Sequence, residues 1–130
     1  MKNNQTIAQF LGIKTFPFEI KNDQGKTIYF ENSNGYWRKR EYDANGNCIY
    51  SETSDGGWTK REYNANGNQT RFEMSTGYWE TIEYDANGNQ IYSEDSYGYI
   101  VDNRPKQVEL TLAEIAEKLN IPIELLRIKE

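Results

Sequence analysis

The chain has 130 residues, enough for one domain and too few for two independent cores. Its 15 basic and 20 acidic residues give a net charge of -5, which argues against a general affinity for nucleic acid or anionic membrane and favours a basic partner surface. Histidine is absent and Cys48 is the single cysteine, so no Cys-His or Ser-His pair, no thiolate metal cage and no intrachain disulfide can be assembled.

The N-terminal stretch has no apolar run of signal-peptide length and nothing downstream approaches a membrane span, so a cytoplasmic protein without membrane contact is expected. Within it, Thr6-Ile7-Ala8-Gln9-Phe10-Leu11-Gly12 reads as one short helix closed by glycine. Residues 1–15 form the expected N-terminal cap.

Beyond this segment the sequence repeats. Trp37, Trp58 and Trp79 recur every 21 residues, as do Tyr42, Tyr63 and Tyr84. Two glycine series keep the same step, Gly25, Gly46, Gly67 and Gly88, then Gly35, Gly56, Gly77 and Gly98, so each repeat carries two turns. The first turn has the form Asp43-Ala44-Asn45-Gly46-Asn47, where Asn-Gly signals a hairpin because both residues tolerate the positive φ that a tight reversal needs. The second has the form Ser54-Asp55-Gly56.

Between the turns lie short segments rich in strand-favouring residues, over 16–20, 27–31, 36–42, 48–52, 57–63, 69–73, 78–84, 90–94 and 99–101. They predict a mainly β fold, an elongated antiparallel meander of hairpin repeats across 16–101, about 40 Å long at ~4.8 Å per strand. Alternation puts Trp58, Lys60 and Glu62 on one face and Thr59, Arg61 and Tyr63 on the other. Tryptophans two strands apart are too distant to touch, and Ile28, Ile49, Thr70 and Ile91 are the expected fillers between them.

In the last segment Thr111 and Glu114 make a capping box, and Leu112, Ile115, Ala116 and Leu119 share one helical face before Asn120 and Pro122. Residues 102–130 are expected to form a C-terminal helical cap, with both caps covering the terminal strands. The same tail resembles the first helix of a helix-turn-helix, but Pro122 to Glu130 is short for a recognition helix and the chain is acidic.

The EYDANGN and GYW strings resemble the tyrosine-aspartate repeats of bacterial toxin shells, and the layout of one hairpin per repeat is similar to that of MORN repeat proteins. The order of an IAQFLGI start, EYD-x-NGN hairpins, a GYIVDNRPK exit and a TLAEIAEKLNIP tail resembles small repeat proteins of tailed phages and prophages. That resemblance implies a phage accessory protein acting inside a bacterium, among which inhibitors of host defence or host enzymes occur.

A catalytic site is not expected. Glu31, Glu52, Glu73 and Glu94 recur in register, as do Glu41, Glu62 and Glu83, and a row of carboxylates along a sheet reads as a solvated face without a unique pocket. Asp43, Asn45 and Asn47 offer alternating oxygens, but Ser54 stands where a calcium loop needs a closing acid, so hairpin turns account for them and no metal or cofactor is expected. The basic residues Arg38, Lys39, Arg40, Lys60 and Arg61 read as cross-strand partners of nearby glutamates.

The candidate binding residues are therefore an aromatic set, Trp37, Trp58, Trp79, Tyr36, Tyr78 and Tyr99, and charged rows containing Arg38, Arg40, Lys60, Arg61, Glu52 and Glu73. The expected function is a non-enzymatic interaction module that binds and inhibits or scaffolds a bacterial host protein, with homo-oligomerisation left open. The alternatives are a carbohydrate-binding or cell-wall-binding repeat module and an acidic nucleic-acid mimic.

Overall fold

The structure is a computed structural model, and residues 4–127 are described. The outer ends of both expected caps, 1–3 and 128–130, lie outside the described residues. After α1 (Ile7–Leu11) come β1 (Phe18–Lys21), β2 (Thr27–Glu31), β3 (Trp37–Tyr42), β4 (Cys48–Thr53) and β5 (Trp58–Tyr63). They are followed by β6 (Gln69–Met74), β7 (Trp79–Tyr84), β8 (Gln90–Asp95), β9 (Ile100–Asp102), α2 (Leu112–Leu119) and the 3-10 turn η1 (Ile123–Leu125). The nine strands pair antiparallel in chain order, so the expected meander is the fold.

Every reversal between strands has the same construction. In the Asp43 turn, the Asp43 N–H donates to Asn47 O and the Gly46 N–H returns to Asp43 O, which makes a three-residue loop ending in a left-handed glycine at φ 84°. Asn45 does not take a positive φ. Of the two residues that tolerate a positive φ, the asparagine fills the last ordinary position and glycine alone takes the left-handed one. Asp43 Oδ1 accepts the N–H groups of Asn45 and Asn47, and Asn22, Asn32, Asn64, Asp85 and Asp95 do the same in their own turns.

Each alternate strand pair also carries a bulge. Glu41 pairs with Tyr50 and Tyr42 with Cys48, so Ile49 is the extra residue, and Ile28, Thr70 and Ile91 occupy the equivalent places. These four residues therefore make the bulges and do not fill the gaps between tryptophans. The extra residue lets one strand run past its neighbour, and every hairpin is displaced along the sheet relative to the one before.

Among the described residues no second layer covers the sheet beyond the short α1. Only Ala8, Tyr29, Glu31 and Ala116 are buried among the described residues, and the chain exposes 10064 Å². A compact chain of its mass would expose about 7,100 Å². Cohesion comes from braces between neighbouring strands. The hydroxyls of Tyr42, Tyr63 and Tyr84 donate to the carbonyls of Thr27, Cys48 and Gln69, one hairpin back. Ser54, Ser75 and Ser96 accept the N–H groups of Trp37, Trp58 and Trp79 through their hydroxyls.

Both expected end helices are present, α1 closed by a left-handed Gly12 and α2 opened by the Thr111–Glu114 capping box, but their placement differs from the expected covering of the terminal strands. α1 does not line the outer edge of β1; it lies on the face of the sheet, bonded to Glu31 of β2. α2 ends in a left-handed Asn120, with the Ile121 N–H returning to Ala116 O, and packs against η1. β9 is left open, with Ile100 and Val101 more than half exposed.

Because the braces act locally, single changes should have additive, moderate effects. Tyr63→Phe is expected to lower unfolding free energy by about 0.5 to 1.5 kcal/mol through its lost hydrogen bond. Gly67→Ala, at φ 81° with open space around the added methyl, should cost roughly 1 to 2 kcal/mol through strain alone. Urea denaturation followed by far-ultraviolet circular dichroism measures both; a null effect of Gly67→Ala would contradict the turn geometry.

Candidate functional site

The pleat divides the candidate residues between two faces. The front face holds Trp37, Trp58 and Trp79 together with Lys60, Glu52 and Glu73, since Glu52 pairs with Trp58, Lys60 with Glu73 and Glu73 with Trp79. The back face holds Arg38, Arg40 and Arg61, with Tyr36 beside them. Tyr78 is also on the back, its ring 6.2 Å from Phe72 and 5.5 Å from Tyr97, and Tyr99 follows at the exposed end of the same side. The aromatic set is therefore not one surface: each tyrosine neighbours a tryptophan in sequence and so points the opposite way.

The two faces differ in charge. Every strand from β2 to β9 sets one carboxylate on the front: Glu31, Glu41, Glu52, Glu62, Glu73, Glu83, Glu94 and Asp102. The front cations on those strands are Lys39, Lys60 and Arg71. On the back, Arg38, Arg40 and Arg61 are set against Glu80 and Asp95.

The cations are held mainly by rings. Lys60 Nζ lies 5.1 Å from the Trp58 ring centre and Arg71 5.5 Å from that of Trp79. On the back, Arg38 covers Phe30 and Arg61 covers Phe72. Among the described residues the ion pairs are Arg71–Glu73, Arg104–Asp102 and Arg104–Glu83. The expected cross-strand placement holds in register for Lys39 opposite Glu52 and Lys60 opposite Glu73. But Arg38, Lys60 and Arg61 lie over aromatic faces, which hold a cation without stripping its water completely, and the cluster makes no ion pair among the described residues.

The glutamates two residues after Tyr29, Tyr50, Arg71 and Tyr92 share a second pattern. Tyr29 donates to Glu31 at 2.9 Å, Tyr50 to Glu52 at 3.3 Å and Tyr92 to Glu94 at 2.8 Å, while Arg71 bonds Glu73 at 2.8 Å. In the first repeat this unit is closed by α1: the Thr6 hydroxyl donates to Glu31 Oε1 at 2.6 Å and the Ala8 N–H to Oε2 at 3.1 Å. Glu31 is 2% exposed, so it is no part of a solvated row. Tyr29 stacks on Trp37 at 6.3 Å below the same helix. At the far end Arg104 forks onto Asp102 and lies 4.1 Å over Tyr92.

Burial, reinforced by the bond to Glu31, pushes the Tyr29 hydroxyl up to about 12. Hydrogen bonds from Arg104 hold Asp102 down at about 2. In the turns, donated backbone N–H groups, foremost that of Asn47 to Asp43 and of Asn89 to Asp85, lower both carboxyls. Those oxygens serve the loops that contain them.

Among the described residues no helix is long and apolar enough to cross a membrane, and no three His, Cys, Asp or Glu side chains converge as metal ligands would. The chain matches no protein-family model, and no curated protein matches it.

Two outcomes follow for the α1 contact. Glu31→Ala should raise amide hydrogen exchange at Ala8 and cost about 1 to 3 kcal/mol, since it leaves Tyr29 and the helix start without their acceptor; unchanged exchange would contradict the contact. Because the Tyr29 pKa is raised on folding, its contribution is complete below pH 10 and is lost between pH 10 and about 12. Ultraviolet titration should show a latest-ionising component that Tyr29→Phe removes; a titration unchanged by that substitution would contradict it.

Proposed function

We propose that the chain is a non-enzymatic protein-interaction module whose front face binds a basic surface of a bacterial protein, as a phage accessory protein that inhibits or scaffolds its host target. The phage and host setting comes from the resemblance of the repeat strings and the two end segments. The observation that carries the reading is the front face itself, with a carboxylate on each strand from β3 to β9 and half-exposed Trp58 and Trp79 between them. A flat surface of this kind offers desolvatable aromatic anchors within an acidic field, which suits recognition of a basic partner.

A carbohydrate-binding role has less support. The rings that would stack on a sugar already carry Lys60 and Arg71, and Trp37 lies against Tyr29. The nucleic-acid mimic gains a row of carboxylates, but Lys39, Lys60 and Arg71 interrupt it.

Affinity capture from bacterial lysate at low salt, read by mass spectrometry, tests the reading. Trp79→Ala combined with Glu83→Lys should abolish capture of a stoichiometric partner, whereas Arg38→Glu combined with Arg40→Glu on the back should leave it intact. Capture should weaken as salt rises. Loss with the back variant alone, or a native chain that captures nothing, would overturn the proposal.

A further inference from the structure

The sheet contains a second, open copy of the seat that α1 occupies. Around Glu31 the seat consists of Tyr29, Trp37 and Lys39, which line a groove with Thr6 and Ile7. Twenty-one residues on, the same residue types stand in the same register at Tyr50, Glu52, Trp58 and Lys60. Glu52 accepts from Tyr50, and among the described residues its other oxygen has no hydrogen-bond partner. The later repeats are incomplete: Arg71 replaces the tyrosine in one, and Ile100 replaces the tryptophan in the other, where Arg104 covers Tyr92.

The chain also carries a second copy of the helix start that fits the seat. α1 opens Thr6-Ile7-Ala8-Gln9 and α2 opens Thr111-Leu112-Ala113-Glu114, both with a complete capping box. In α1 the threonine hydroxyl and the alanine N–H are the two groups that reach Glu31. In α2 the Thr111 hydroxyl accepts from the Glu114 N–H and keeps its own proton free, and the Ala113 N–H has no partner among the described residues. Leu112, in the place of Ile7, is 40% exposed.

The charges also match. α2 has Glu114 where α1 has Gln9, adding a negative charge to the incoming helix. The open seat has Lys39 paired with Glu52 where the occupied seat has Phe18 paired with Glu31, adding a positive charge to the receiving surface.

We propose that Tyr50, Glu52, Trp58 and Lys60 form a docking site for the start of α2 from a second copy of this chain. The contact joins two different surfaces, so it is heterologous, and self-association needs both. Thr111 and Ala113 donate to Glu52 as Thr6 and Ala8 do to Glu31.

Sedimentation equilibrium of the purified chain tests this without any host partner. The native protein should show a concentration-dependent mass above 15.2 kDa. Glu52→Gln should weaken association about tenfold or more, and Ala113→Pro, which removes a first-turn N–H that no intrahelical bond uses, should do the same. Glu94→Gln should leave it unchanged. Mixing the Glu52→Gln and Ala113→Pro chains should restore association, because each supplies the half that the other lacks; an unfolded variant could not be rescued in this way. A native chain that stays monomeric at all concentrations would overturn the proposal. So would two folded variants whose mixture fails to associate.

Discussion

A sheet covered on its faces only by the short α1 over Glu31, among the described residues, must be held together mainly within its own plane. This constraint governs every feature of the chain. Ordinary strands derive most of their stability from a buried face; here the faces are wet, and the work passes to contacts between a strand and its neighbours. Tyr63 reaching the Cys48 carbonyl and Ser75 holding the Trp58 N–H are such contacts, and each reappears with the repeat. The composition follows: tyrosine, tryptophan and long charged side chains cover a pleated surface while keeping polar ends in water.

The bulge and the three-residue turn make the repeat stackable. The turn fixes the register, the bulge at Ile49 and its equivalents displaces each hairpin along the sheet, and the Trp58 and Trp79 rings lie against Lys60 and Arg71. Function follows from the same geometry. A face that no layer covers is available, and successive strands give it a carboxylate apiece. The Glu31 seat shows what such a surface can hold, since a helix start settles there through a carboxylate already positioned by Tyr29.

Strand number and order were legible, and bounds to within one or two residues, because each reversal is marked by a glycine whose left-handed backbone other residues resist. Repetition at 21 residues then made each strand evidence for the others. The turn type was not legible, since Asn-Gly is equally at home in a two-residue and a three-residue loop. The bulge was hidden because Ile49 looks like any strand residue, and only pairing with β3 reveals it as an insertion. Tyr36, Tyr78 and Tyr99 were grouped with the tryptophans by adjacency, although adjacency in a strand means opposite faces. Glu31 was indistinguishable from Glu52 in sequence; the short Thr6-Ile7-Ala8-Gln9 segment decides between them by covering one and not the other. Aliphatic residues near both ends suggested edge caps, yet α1 follows the hydrogen-bonding acceptor on β2 and α2 packs on η1.

The most direct test is deletion of residues 64–84, one complete period comprising β6 and β7. The cut joins Tyr63 to Asp85, restores an intact hairpin turn and gives β5 a repeat-equivalent neighbour in β8, with Ser96 in the place of Ser75 beside Trp58. A chain stabilised in this way should stay folded, with the native circular dichroism per residue and a cooperative but weaker urea transition. Loss of folded structure would show that the strands depend on a shared interior and would contradict a sheet held within its own plane.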